Sequence, residues 1–190
     1  MARASEPVIA VVMGVSGCGK STIGTRLAKA LDWDFLEGDD LHPAANVAKM
    51  RSGHPLDDTD REPWLEAIAA WIAEHVRDRR GGIVTCLALK RRYRETLTGG
   101  RAGVFFVHLH GAREVLEQRV QNRHHKYMPA SLLDSQLADL EMLGDDEPGV
   151  MIDIAQSRTA ITAEALRALR PDPASADAQD AKIGEARETE

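Results

Sequence analysis

The hydrophobic positions of this chain fall into short continuous runs that alternate with longer stretches of helical spacing. Residues 8–13, VIAVVM, form an unbroken apolar run, which is typical of a strand buried on both faces. Further strand-like runs lie at 34–37, 82–89, 104–110 and 150–154. Helical patterns are predicted at 21–31, 62–78, 112–122, 130–143 and 157–169. Strands that alternate with helices predict an α/β fold, in which a parallel sheet carries helices on both faces.

Length and composition predict one soluble domain. The chain has 190 residues, of which 43% are hydrophobic and 28% are charged, both ordinary values for a globular protein. No run of 18 apolar residues indicates a membrane-spanning helix, and the N-terminus does not resemble a signal peptide. Two cysteines are too few for a disulfide framework and fit a reducing compartment. We therefore expect a cytoplasmic protein that has no membrane partner.

The net charge of −6 argues against a nucleic-acid-binding protein. Much of this charge lies in residues 171–190, which contain six acidic residues, two basic residues and no aromatic residue. Such a composition cannot bury enough apolar surface to order the chain, so we predict a disordered acidic tail there. The folded domain is then expected to cover residues 1–170.

The glycine-rich stretch after the first apolar run carries the clearest chemical signal. Residues 14–21, GVSGCGKS, match the pattern G-x-x-x-x-G-K-[ST], between a predicted buried strand and a predicted amphipathic helix. Glycines let backbone N–H groups turn inward around a polyphosphate, and the helix adds the positive end of its dipole. Lys20 is expected to reach the β- and γ-phosphates, and the Ser21 hydroxyl to bind Mg²⁺. The sequence therefore predicts a phosphate-binding loop.

Two further features favour a small-molecule kinase over other proteins with such a loop. A GTPase would need a base-reading motif such as N-K-x-D, which the sequence lacks. A motor ATPase would normally carry an acidic residue at the end of an apolar strand, whereas the strand-like run 82–89 is followed by Lys90. A basic residue at that point suggests a site for an anionic acceptor or for the phosphoryl group in transfer.

The stretch EGDDLHP, residues 37–43, lies where α/β sheets bind ligands, beyond the carboxyl end of a strand. Asp39 or Asp40 could hold an acceptor hydroxyl and take its proton during phosphoryl transfer. Asp40 could instead cap the next helix. His42 has no metal-ligand partner at the usual spacing, so we expect it to be a cap or part of the pocket wall. The basic residues that follow suit a substrate with hydroxyls at one end and a carboxylate at the other: Lys49, Arg51 and Arg61.

Over residues 8–160 the chain resembles the small, single-domain gluconokinases of the P-loop kinase group. The resemblance rests on MGVSGCGKST, FLEGDDLHPAANVAKMRSGHPLDDTDREPWL, ALKRRYRETL, FVHLHG and MPASLLDSQLADLE. It implies transfer of phosphate from ATP to the 6-hydroxyl of D-gluconate with Mg²⁺, which gives 6-phospho-D-gluconate. It also implies a five-stranded parallel sheet of order 2-3-1-4-5, an acceptor-binding segment at about 39–65, a mobile lid at about 119–132 and a homodimer.

The resemblance also assigns roles to individual residues. Lys20, Asp39 and Arg123 are the implied catalytic residues, with Asp39 orienting or deprotonating the acceptor hydroxyl. The implied ligands of ATP and Mg²⁺ are Gly14, Val15, Ser16, Gly17, Cys18, Gly19, Lys20, Ser21 and Thr22. Arg119 and Arg123 match lid arginines that cover the phosphates, and the loop after Asp153 is expected to border the adenine. The implied acceptor-binding residues are Asp39, Arg51, Arg61, Lys90 and Arg94.

Two departures from the family pattern leave other functions open. Leu87 stands where the family usually has serine, and it could either remove a hydrogen bond to the substrate or point into the core. Residues 123–127 read RHHKY, without the usual glycine of the lid. The alternatives are a kinase for another small acceptor, such as shikimate or a nucleoside monophosphate, and a sensor that binds ATP and gluconate without transferring phosphate.

Overall fold

The computed structural model describes residues 9–122 and 130–169, and the predictions for the acidic tail and for residues 123–127 lie outside these ranges. In chain order the strands and helices are β1 (Ile9–Met13), α1 (Lys20–Leu31), β2 (Asp34–Glu37), a 3₁₀ turn (Gly38–Leu41), α2 (Ala44–Arg51), α3 (Asp58–Arg77), β3 (Gly82–Cys86), α4 (Arg91–Thr98), β4 (Val104–His110), α5 (Arg113–Asn122), α6 (Ala130–Asp139), β5 (Gly149–Asp153) and α7 (Arg158–Leu169). Strands and helices alternate along most of the chain, as the sequence predicts.

The five strands form one parallel sheet in the order β2-β3-β1-β4-β5, which confirms the predicted topology. Strand β1 lies at the centre, and all five of its residues are completely buried. Met13, at its end, is level with Cys86 of β3 and His108 of β4, while Glu37 of β2 is level with Thr85. The loops that follow these strands therefore leave the sheet at one common edge.

A hydrophobic core lies on each face of the sheet, because successive side chains of a strand point to opposite faces. Ala10 and Val12 of β1 belong to one core with residues of α1 and α7. Val11 and Met13 belong to the other core with residues of α3 and α4. Cys86 lies in this second core, where burial raises the pKa of its thiol to about 12, so it is a buried apolar residue rather than a nucleophile.

Three local features differ from the predictions. Helix α3 begins at Asp58 rather than at residue 62, because Asp57 and Asp60 form a reciprocal capping box. Helix α4 was not predicted, since it is mostly polar and buries only a few side chains, among them Tyr93. The suggestion that Asp40 caps α2 is wrong, because α2 has no side-chain cap.

No helix in the described ranges is long and apolar enough to cross a membrane.

Candidate active site

A cavity of about 350 Å³ lies at the common carboxyl edge of β1, β2 and β3. Its walls come from the phosphate loop, the 3₁₀ turn after β2, helices α2, α3 and α6, and the segment that follows β3. Lys20, Asp39 and Arg61 all line it. The fold thus brings together a phosphate-binding loop, a carboxylate and a guanidinium from distant parts of the sequence.

The phosphate loop is held in a conformation that only glycines adopt readily. Gly14, Gly17 and Gly19 have φ angles of 136°, 84° and 103°. A Cβ atom on Gly14 would lie 2.4 Å from the carbonyl oxygen of Leu109, so the neighbouring strand also excludes a side chain there. The backbone of the loop can therefore turn its N–H groups toward an anion, and the N-terminus of α1 adds its dipole.

The side chains of the loop divide between the core and the cavity. Val15 and Cys18 are buried in the core, so only their backbone atoms can contact a phosphate. Lys20 folds back over the loop, and its Nζ donates hydrogen bonds to the carbonyl oxygens of Gly14 at 2.9 Å and Val15 at 3.2 Å. Ser21 is exposed in the first turn of α1 and lines the cavity, where its hydroxyl is accessible to a cation.

A second pocket, of about 290 Å³, lies on the other side of the loop. Thr22 and Arg119 line it, together with residues of α7. The guanidinium of Arg119 donates to the carbonyl oxygen of Ile154 at 2.8 Å, so it also contacts the segment that follows β5. These positions are compatible with a nucleotide that runs from the loop toward the end of β5, although the ATP-binding role of Arg119 stays a prediction.

Asp39 is positioned by the 3₁₀ turn, which is fixed at Gly38. The N–H of Gly38 donates to the hydroxyl of Thr85 at 3.1 Å, and its carbonyl accepts from Trp64 Nε1 at 2.7 Å. A Cβ atom on Gly38 would lie 2.0 Å from the Thr85 carbonyl oxygen, so this position requires glycine. The carboxylate of Asp39 itself is exposed to the cavity, where it could accept a hydrogen bond from a bound hydroxyl.

His42 forms part of the cavity wall, in agreement with the sequence interpretation. Its ring stacks on that of Trp64, with 4.2 Å between the ring centres. Burial lowers the pKa of His42, and the nearby Asp39 only partly opposes this effect, so the imidazole is neutral at physiological pH. Among the described residues, no group of three histidine, cysteine or acidic side chains is arranged to hold a metal ion.

The predicted acceptor-binding cations lie in different environments. The side chain of Arg61 is largely buried in the cavity wall, where it donates to the Tyr93 hydroxyl and to Asp139, each at 3.1 Å. Lys90 lies behind this wall, 3.3 Å from both Asp139 and Asp58. The predicted residue Arg51 ends α2 in an exposed position and is not part of the cavity lining.

A carboxylate network fixes these cations in place. Asp139 binds Arg61 through one oxygen and Lys90 through the other. Asp58 accepts hydrogen bonds from Tyr93, Arg92 and Lys90, which hold its pKa at about 2, with Tyr93 as the largest cause. Asp58 is therefore ionised throughout the physiological pH range, and its ion pairs with Lys90 and Arg92 persist over that range.

The structure corrects the prediction that Arg94 binds the substrate. Arg94 is 1% exposed, and its guanidinium forms a bidentate ion pair with Glu147 at 2.6 and 2.8 Å. Its remaining N–H groups donate to carbonyl oxygens of residues 88, 89, 141 and 142. With its donors used inside the protein, Arg94 ties α4 to the segments on either side of it.

Replacing Arg94 by methionine is expected to lower the free energy of unfolding by about 3–5 kcal/mol, because the largely buried Glu147 carboxylate would lose its ion-pair partner and keep the hydrogen bond from the Gly144 N–H. Urea unfolding would measure the loss. Arg92→Met, which removes an exposed ion pair on the same helix, should cost less than about 1 kcal/mol. An Arg94→Met variant of normal stability but raised KM for an acidic acceptor would restore the original assignment.

The same ion pair predicts sensitivity to acid. Arg94 holds the pKa of Glu147 below its usual value. The stabilisation is therefore complete above the pKa of Glu147 in the unfolded chain, and it is lost as the pH falls through the lower value of the folded state. Unfolding measured between neutral and acidic pH should show a smaller loss of stability in Arg94→Met than in the parent protein.

Leu87 combines the two interpretations of this departure, because it borders the cavity and also packs against both cores from its partly buried position. Where the family usually has a hydroxyl, this chain thus presents an aliphatic surface to whatever the cavity holds. Arg123 and the other altered lid positions lie outside the described residues, so the structure does not test them.

Two residues of the site were not identified from the sequence, although the motif that contains them was. Gln136 lines the cavity and accepts a hydrogen bond from the backbone N–H of Ser16, and Asp139 binds Arg61 and Lys90. They are three positions apart on α6 and therefore share one face. Polar residues at this spacing within an otherwise leucine-rich helix were the available signal.

The order of the sheet and the position of the loop define a kinase of the phosphate-loop class. The model of the family described as an AAA domain matches residues 9–143, which is most of the described chain. A solved structure described as a sugar kinase from Janibacter sp. has a TM-score of 0.83 and 43% identity, and covers 88% of this chain and 97% of its own.

Similar proteins of known activity identify the family of this kinase more narrowly. The chain is 48% identical to a gluconokinase of Gluconobacter oxydans over 162 residues, which are 85% of this chain and 91% of that protein. The crystal structure of a gluconokinase from Sinorhizobium meliloti has a TM-score of 0.78 and 45% identity, with 86% of this chain and 92% of that chain covered. This chain therefore belongs to the gluconokinase family, as its sequence motifs indicate.

Proposed function

We propose that this protein transfers the γ-phosphoryl group of ATP to the 6-hydroxyl of D-gluconate, which gives 6-phospho-D-gluconate. Membership of the gluconokinase family supports the reaction. The observation that carries the proposal is that Lys20, Asp39 and Arg61 line the same cavity. A sugar acid offers a hydroxyl at one end and a carboxylate at the other, and this cavity offers a base for the first and a cation for the second.

On the nucleotide side, the polyphosphate would lie along residues 14–22 and accept hydrogen bonds from backbone N–H groups of the loop other than that of Ser16, which Gln136 holds. Arg119 would lie beside it. Lys20 would exchange its two carbonyl contacts for the β- and γ-phosphates and stabilise charge in the transition state. The accessible Ser21 hydroxyl fits a hard oxygen ligand of Mg²⁺. When bound, Mg²⁺ would neutralise part of the negative charge of the polyphosphate.

On the acceptor side, Asp39 would accept a hydrogen bond from the 6-hydroxyl, orient its oxygen toward the γ-phosphorus and take its proton as the new bond forms. Arg61 would bind the carboxylate with the N–H groups that do not contact Asp139 and Tyr93. Lys90 would bind the acceptor only by exchanging its contacts with Asp58 and Asp139 for the substrate carboxylate. Arg51 would contribute only if the acceptor segment 39–65 closes over the substrate.

Several finer features are proposed with this function. The family resemblance implies a homodimer and a lid at about 119–132 that contributes Arg123. Composition favours a cytoplasmic location, a domain over residues 1–170 and an acidic tail at 171–190. An interaction with nucleic acid or membrane is not part of the proposal, since the net charge of −6 disfavours the former.

The experiment that tests the function is ATP consumption by the purified protein with Mg²⁺, with separate assays of D-gluconate, other sugar acids, shikimate and nucleoside monophosphates. We expect turnover with D-gluconate at a kcat/KM at least tenfold above that for every other acceptor. Preference for another acceptor would overturn D-gluconate as the substrate and would mean that the departures at Leu87 and in the lid have changed the function. Binding of both ATP and gluconate without product would instead identify a sensor.

A further inference from the structure

Helix α6 carries one of the most specific motifs of the sequence, and its residue Gln136 has no role in the function proposed above. Most of its described neighbours are apolar, with Leu132 and Leu133 buried in the protein. Gln136 interrupts this pattern, although it is only 8% exposed. Burying a carboxamide is costly unless its hydrogen-bonding groups are satisfied, so a buried glutamine on such a helix requires a specific partner.

One half of the Gln136 carboxamide has its partner in the phosphate loop. Its Oε1 accepts a hydrogen bond from the backbone N–H of Ser16 at 2.7 Å, across 120 residues of sequence. A backbone N–H can only donate, so the oxygen rather than the nitrogen of the carboxamide must face the loop. The amide nitrogen, which carries two N–H donors, is then turned away from Ser16.

Contacts of α6 on both sides of Gln136 fix the position of this side chain in the cavity wall. Three residues after Gln136, Asp139 binds Arg61 and Lys90, so the same face of the helix is attached to both sides of the cavity. Gln136 lines the cavity together with Asp39 and Lys20. A neutral donor group is therefore held beside the phosphate loop, in the space that also contains the proposed base.

We propose that Gln136 binds the acceptor substrate by donating a hydrogen bond from its amide nitrogen to a hydroxyl of the sugar acid. The assignment rests on the proposed function. Because Ser16 belongs to the phosphate loop, Gln136 acts near the end of the cavity where the phosphoryl group is transferred. It therefore contacts the polyol part of the acceptor, whereas Arg61 contacts the carboxylate. Asp39, Gln136 and Arg61 then recognise three different parts of one substrate.

The test replaces Gln136 by methionine, which has a similar length and no hydrogen-bonding amide. We expect kcat/KM for D-gluconate to fall about tenfold, which corresponds to about 1.4 kcal/mol and to the upper end of the contribution of one neutral hydrogen bond. The dissociation constant of ATP, measured without gluconate, should change less than twofold. Gln118→Met, an exposed position on α5, serves as the matched control and should leave both quantities unchanged.

A second variant separates substrate binding from support of the loop. Gln136→Glu keeps an oxygen for the Ser16 N–H but has no N–H donor at neutral pH, so it should lose at least as much kcat/KM for gluconate as the methionine variant. Wild-type kcat/KM for gluconate in Gln136→Glu would overturn the proposal. Equal weakening of ATP and gluconate in Gln136→Met would also overturn it, as that is the result of a structural role.

The outcomes distinguish this inference from the function on which it rests. If the parent protein phosphorylates D-gluconate and the Gln136 variants do so equally well, only the inference fails. If the parent protein does not use D-gluconate, the proposed function fails and the assignment of Gln136 fails with it. A melting temperature within a few degrees of the parent confirms that each variant is folded.

Discussion

Replacing Lys20 by methionine is expected to lower kcat by about 10²–10³-fold, because a preorganised cation next to the transferring phosphoryl group is lost. Among residues 9–122 and 130–169, the ammonium group donates hydrogen bonds to two loop carbonyls and to no carboxylate, so its removal leaves no described buried carboxylate without a partner. The free energy of unfolding should therefore change by less than about 1 kcal/mol. Steady-state kinetics and urea unfolding of the same preparation would measure both quantities.

Lys29→Met provides the matched control for this variant. Lys29 is exposed and lies in the last turn of the same helix, at the end opposite to the phosphate loop. We expect its kcat to equal that of the parent protein. If Lys20→Met retained more than a tenth of the parent activity, the loop would not be stabilising the transferred phosphoryl group, and the proposed nucleotide site would have to be abandoned.

Asp39→Asn should lower kcat by about 10²–10⁴-fold, since the amide preserves the shape of the side chain but cannot accept a proton. Asp39 is exposed to the cavity, so the substitution should not affect folding. ATP binding should persist, because the phosphate loop is unchanged. The decisive readout is single-turnover phosphoryl transfer with D-gluconate at saturating concentration, which separates the chemical step from substrate binding.

Asp40→Asn is the natural comparison for Asp39. The two residues are neighbours on the same 3₁₀ turn, but Asp40 does not line the cavity. We expect at least half of the parent kcat in Asp40→Asn. A large loss in Asp40→Asn together with a small loss in Asp39→Asn would transfer the role of the base from one residue to the other.

The fold could be predicted largely from the sequence, because its signals are local. A continuous apolar run such as residues 8–13 has few interpretations other than a strand covered on both faces, and the structure buries all of β1. The strand order came from the family resemblance rather than from the pattern. Helix α4 and the first turn of α3 were missed, since polar helices and capping boxes leave little hydrophobic periodicity.

The site could be predicted only in part, because burial and partners are tertiary properties. The phosphate loop was recognisable, since its glycines and lysine are adjacent in sequence. Arg94 was misassigned because its basic segment does not reveal that Glu147, 53 residues later, would bury and neutralise it. Gln136 was missed for the same reason, as its partner Ser16 lies 120 residues away.

The central claim is that the phosphoryl group is transferred to the hydroxyl end of gluconate. The most direct test is a ³¹P–¹H correlation spectrum of the product formed from ATP, Mg²⁺ and D-gluconate. The account predicts a new phosphate monoester signal that couples to the protons on C6. Coupling to a proton on another carbon, or the appearance of inorganic phosphate alone, would contradict the proposed arrangement of the acceptor.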